Sequence, residues 1–111
     1  MIKKLLLTII LTFICSLAHA ATTYYACTSG GTWSASIWVT STGAQAACTG
    51  HTTIGTANNA VLNASSGNVT IGASVSEASL NETGYTGTLA FGTFILTITG
   101  GATLQGVMSS I

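Results

Sequence analysis

From Asn58 onward the chain repeats one short pattern of apolar and polar positions. Leu62, Ile71, Leu80, Leu89 and Ile98 fall nine residues apart, and Val107 continues the series. A small hydroxylated residue, Thr70, Ser79, Thr88 or Thr97, stands directly before each of the middle four. In Val69-Thr70-Ile71, Ala78-Ser79-Leu80, Gly87-Thr88-Leu89 and Leu96-Thr97-Ile98 the hydroxyl and aliphatic residues alternate, which sends them to opposite faces of a strand. Gly, Asn and Ser at Ser65-Ser66-Gly67-Asn68, Asn81, Gly84, Gly92 and Gly100-Gly101 mark the turns between these strands. A strand and turn that cannot bury their own apolar face must stack on their neighbours, and two nine-residue units would make a coil of about eighteen. The predicted fold is all-β: a short right-handed parallel β-helix, or solenoid, over residues 57–111, behind an N-terminal capping segment over 21–56. A small β-sandwich with regularly spaced strands is the alternative.

The capping segment lacks the repeat. It holds Tyr24, Tyr25, Cys27, Gly30-Gly31-Thr32-Trp33, Trp38-Val39 and Cys48. Large aromatic rings can seal the open end of a stack, and Trp33, Trp38, Tyr24 and Tyr25 are also the candidate stacking residues for a sugar ligand. The column Thr70, Ser79, Thr88 and Thr97 is a candidate hydroxyl array if the repeat stacks in register.

The first twenty residues are of another kind. Lys3 and Lys4 precede an apolar run from Leu5 to Leu17, and Ala18-His19-Ala20 follows, the three parts of a secretory signal. The run is shorter than the ~20 residues a spanning helix needs. A signal-peptide helix over residues 1–20, cut between Ala20 and Ala21, is therefore expected, with no membrane span after cleavage. The mature chain would be secreted, periplasmic or on the cell surface, and the lysine-led signal has a bacterial look.

Cleavage changes the composition. Lys3 and Lys4 are the chain's only Lys or Arg residues, so the remainder has no cationic side chain except His51, no Asp and no Pro. Such a surface cannot neutralise phosphates, which argues against nucleic acid as a partner. Cys15 leaves with the signal, and the remaining pair in an exported chain reads as a disulfide, Cys27 to Cys48.

The stretch from Gly31 to Gly106 resembles the β-solenoid repeat regions at the N-termini of bacterial adhesins and autotransporter passengers, and those of phage fibre-like proteins. Gly31-Thr32-Trp33, Trp38, Asn68-Val69-Thr70-Ile71, Ala78-Ser79-Leu80, Gly84-Tyr85-Thr86-Gly87-Thr88-Leu89 and Leu96-Thr97-Ile98-Thr99-Gly100 carry the likeness. It implies a surface-exposed, adhesin-like structural role. Near the C-terminus Ala102-Thr103-Leu104 begins another strand, and the sequence stops soon afterwards without a polar cap. The expectation is either a piece of a longer protein or an open end that pairs with another copy.

The chemistry of catalysis is thinly represented. Glu77 and Glu82 are the only carboxylate side chains, and they read as two solvated glutamates at a turn. His51 follows Cys48-Thr49-Gly50 in a loop, and no Gly-x-Ser-x-Gly elbow places a nucleophile. No metal or cofactor is expected, since zinc wants four ligands and a hard cation wants more carboxylates. The reading is a non-enzymatic structural or adhesive module whose partners are surface glycans or other copies of itself. An ice-binding protein using the Thr/Ser column and a phage or fibre structural protein are the alternatives.

Overall fold

The structure, a computed structural model, describes residues 20–109. The expected signal segment up to His19 lies outside the described residues, and Ala20 and Ala21 are exposed and belong to no strand. The elements are β1 (Thr23–Ala26), β2 (Gly31–Thr32), β3 (Trp38–Val39), β4 (Asn59–Val61), β5 (Val69–Thr70), β6 (Val75–Glu77), β7 (Ser79–Asn81), β8 (Thr88–Ala90), β9 (Leu96–Ile98), β10 (Ala102–Thr103) and β11 (Val107–Ser109). Among the described residues a single 3-10 turn, Thr42–Ala44, interrupts them.

Three sheets of unequal width result. One runs β10-β7-β4-β1-β3, a second β11-β8-β5-β2, and the third contains only β6 and β9. Strands three apart in chain order pair in parallel. The exception is β3, which folds back antiparallel on β1 with Tyr25 opposite Val39 and Ala26 opposite Trp38.

This corrects the expected fold. The five-stranded sheet is mixed, and only β4–β6 and β7–β9 form layers with a strand in every sheet, so the chain does not close into a uniform solenoid. The expected coil of about eighteen residues, two nine-residue units, is not the stacking repeat either. Leu80, Leu89 and Ile98 lie in β7, β8 and β9, one in each sheet, so nine residues is the step from one sheet to the next. Register partners are farther apart: Ala60 pairs with Leu80, Leu80 with Ala102, Val69 with Leu89 and Val75 with Leu96. Nor is the N-terminal segment only a cap, because it supplies β1 and β2 to the two wide sheets. The small β-sandwich fails as well, since such a fold is built of antiparallel sheets and β1 with β3 is the one antiparallel pairing among these strands.

Strand alternation builds the interior. The middle residues of β4, β7 and β8, namely Ala60, Leu80 and Leu89, are buried while their neighbours are half-buried or exposed. Leu62, Val69, Ile71 and Tyr85 join them, and Trp33, Ile37, Trp38 and Ile54 continue the same core toward β3. Full burial of a side chain the size of Leu80 or Leu89 stabilises the fold by roughly 1.5–3 kcal/mol.

Layers approach closely where two turns stack. The Gly31 N–H donates to the Asn68 carbonyl at 2.9 Å, and the Gly67 N–H to the Cys27 carbonyl at 3.1 Å. Gly30 has φ +63, and a Cβ there would collide with the Asn68 backbone. At Gly67 a Cβ would strike the backbone of Thr28 and Gly30. Only glycine fits this contact.

Candidate binding face

Each wide sheet turns one side to the core and the other outward. On the outward side of the five-stranded sheet the parallel register aligns Thr23, Asn59 and Ser79 in one row. A second row, two residues on along each strand, holds Tyr25, Val61, Asn81 and Thr103; its β3 member, Val39 beside Tyr25, is buried, so the face is open from β1 to β10 only. Neighbours in a row are about 4.8 Å apart, the strand spacing.

The first row is internally hydrogen-bonded. The Ser79 hydroxyl donates to Asn59 Oδ1 at 2.8 Å, and Asn59 Nδ2 donates to Thr23 Oγ1 at 3.4 Å. In the second row Asn81 Oδ1 accepts from the Thr83 N–H and hydroxyl at 2.9 and 2.6 Å, which occupies its carbonyl and leaves its amide N–H groups to solvent. Asn81 and Thr103 are exposed, and Tyr25 and Val61 are half-buried. The face thus combines amides and hydroxyls with one aromatic ring and carries no charged group.

Beyond the ends of β1 and β4, next to the disulfide, lies a polar cluster. Cys27 and Cys48 are bonded, with Cα atoms 5.4 Å apart. Gln45, buried, donates from Nε2 to the Ala26 carbonyl at 2.7 Å and to Asn63 Oδ1 at 3.0 Å. Asn63 Nδ2 returns a bond to Gln45 Oε1 at 3.0 Å. The Ser66 hydroxyl donates to the Ala26 carbonyl at 3.0 Å. A buried amide is costly unless its partners are all present, and here they come from the end of β1, at Ala26, and from the turn holding Asn63 and Ser66.

Both glutamates are buried, not solvated as the sequence suggested, and they bracket β7. Glu77, just before it, accepts the Asn58 N–H on Oε2 at 3.0 Å and Trp33 Nε1–H on Oε1 at 3.4 Å, both from earlier layers. Glu82, just after it, accepts the N–H groups of Gln105 and Gly106 on Oε2 at 3.0 and 3.1 Å, both from the last layer. Its Oε1 is buried without a hydrogen-bond partner. Burial raises the Glu77 pKa above the usual carboxylate range, against the lowering by its bonds from Asn58 and Trp33. The carboxylates therefore act as acceptors for backbone N–H groups of neighbouring layers. Tyr85 bonds through its hydroxyl to the carbonyls of Gly67 and Thr88, both at 2.9 Å, and burial followed by the Glu82 charge pushes its pKa up to about 12.

The remaining residues singled out in the sequence are scattered. Trp33 and Trp38 are each 0 % exposed, so neither offers a ring to a ligand. They pack edge to face with centroids 4.8 Å apart, and Trp38 Nε1–H donates to the Trp33 carbonyl at 2.8 Å. Tyr24 packs against the core, which leaves Tyr25 as the outward aromatic. Thr70 and Thr88 lie in the four-stranded sheet, Ser79 in the five-stranded and Thr97 in the two-stranded, and no two are register partners. They make no single hydroxyl array. His51 is exposed. Asn59 carried no expectation from the sequence, and Asn81 was read as a turn residue but ends β7; their flanking position beside the buried Ala60 and Leu80 was the available signal.

Among the described residues no three or more His, Cys, Asp or Glu side chains come together, and no helix is long and apolar enough to cross a membrane. Compared with known proteins, the chain matches no family model, no curated protein and no solved structure.

Proposed function

We propose that this chain is an exported, non-enzymatic structural or adhesive module that works through its outward sheet faces. The observation that supports this reading is where the polar groups stand. Hydroxyls and amides occupy the outward rows, while the two carboxylates are buried as acceptors for N–H groups, unsuited to proton transfer with a substrate in solvent. Export draws on the basic, apolar and small-residue order of residues 1–20 and on the Cys27–Cys48 bond, which belongs to an oxidising compartment.

Surface glycans and further copies of the chain are the partners this face suits. A glycan array and a size-exclusion run on residues 21–111 test the reading. Binding on the array or assembly on the column is expected; a monomer that retains nothing would overturn it. Export is tested separately by expressing the full chain and looking for material cut after Ala20 outside the cytoplasm.

A further inference from the structure

We infer that the outward face of the five-stranded sheet binds a neutral, extended polysaccharide, with Tyr25, Asn59, Ser79 and Asn81 as its contact residues. This rests on the reading of the chain as a binding module and adds the surface and the ligand class.

The ligand must be uncharged because the face has nothing to pair with a charge. Its ionisable side chain is Tyr25, and from residue 20 onward the sequence has no Lys or Arg. A uronic acid or sulfate would shed its hydration and gain no counter-charge. A neutral sugar asks for what the two rows provide, donors and acceptors for its hydroxyls and an aromatic or aliphatic surface for its C–H face. Tyr25 and Val61 are register partners and supply that surface, flanked in the first row by Thr23 and Asn59.

Extension of the ligand follows from the direction of the rows. The first row runs across β1, β4 and β7 and gives one polar position every ~4.8 Å, so a polymer lying along it meets a hydroxyl or amide at each of these three strands. The first row is also oriented in advance, since Ser79 already donates to Asn59 and Asn59 to Thr23. Groups fixed before binding lose little entropy when the ligand arrives.

The test is affinity electrophoresis and calorimetry on residues 21–111 with a soluble β-glucan, xylan and glucomannan, beside polygalacturonate and heparin as anionic polymers. One or more neutral polymers should bind and the anionic ones should not. Tyr25→Ala and Ser79→Ala should each weaken binding about tenfold, the loss of one good contact. Thr70→Ala, on the four-stranded sheet, should leave it unchanged. Tyr25→Phe keeps the ring and should keep most of the affinity, and a thermal melt of each variant separates lost contact from lost fold.

Preference for the anionic polymers would overturn the inference, as would neutral binding indifferent to both alanine variants or abolished by Thr70→Ala. Those outcomes leave the module reading standing. If no polysaccharide binds yet the chain assembles on the column, the glycan face is wrong and the structural module survives. A monomer that also binds nothing on the array removes both.

Discussion

At the end of the stack built from β1–β3, Trp33 and Trp38 are fully buried, whereas at the end built from β9–β11 Ile95 is 66 %, Leu104 58 % and Val107 60 % exposed. The strands themselves hardly differ, two to four residues in each case. What differs is the cover. The first end has an antiparallel return strand, an aromatic pair, a disulfide-closed loop and the Gln45–Asn63–Ser66 cluster. At the other end β9, β10 and β11 each form the outer edge of a sheet. Parallel pairing stacks layers but does not finish a stack; that takes side chains and loops that leave the strand pattern. Stability should therefore fall from the Trp33 end to the Val107 end.

The largest effect is expected for Trp33→Ala. It removes the ring that Trp38 packs against and the N–H that Glu77 Oε1 accepts, and it leaves a cavity in the covered end. A loss of roughly 3–5 kcal/mol is anticipated, read from the urea midpoint with an unchanged slope. A loss below about 1 kcal/mol, the size of a typical substitution, would mean that the aromatic pair does not hold this end. Breaking the disulfide comes next. Cys27 and Cys48 are 21 residues apart, and replacing both by Ser should cost about 3 kcal/mol on the chain-entropy model. If reduction leaves the midpoint unmoved, the loop is held by the Gln45 cluster alone.

The two ends also differ in how far the sequence reveals them. The strands over Ser79–Asn81, Thr88–Ala90 and Leu96–Ile98 show in the alternation around Leu80, Leu89 and Ile98, because alternation is a local property. The disulfide shows in the parity of the cysteines once Cys15 is set aside. The stacking distance does not show, because the register partners of Leu80 are the small Ala60 and Ala102, while the large pairs Val69–Leu89 and Val75–Leu96 fall at unequal separations masked by the nine-residue step between sheets. Burial of Glu77 and Glu82 was hidden for another reason. Their partners are backbone N–H groups such as Asn58 and Gln105, which have no side-chain signature and lie about twenty residues away. The outward rows were hidden in the same way, since Thr23, Asn59 and Ser79 align only once the register is known.

Glu77 gives a smaller effect with a definite sign. Its pKa is raised in the folded chain, mainly by burial, so folding favours the protonated form. The stability linked to this group is fully present below the unfolded carboxyl range, near pH ~4, and is lost as pH rises through the raised folded value. The urea midpoint should be higher at mildly acid than at neutral pH, and Glu77→Gln should flatten that dependence. An equally steep pH profile in the Gln variant would assign it to another group.

The smallest effect belongs to the exposed end and tests the comparison most directly. Leu104→Ser and Val107→Thr replace side chains more than half exposed, so each should shift stability by no more than about 0.5 kcal/mol. Hydrogen exchange should agree, with fast exchange at the amides of β10 and β11 and slow exchange at those of β4, which is paired on both sides. Fast exchange combined with unchanged midpoints means that the last layer frays without carrying the rest with it. A loss at Val107 comparable to that at Trp33, growing with protein concentration, would show instead that copies of the chain cover this end in solution, and the contrast between the two ends would then describe only the isolated molecule.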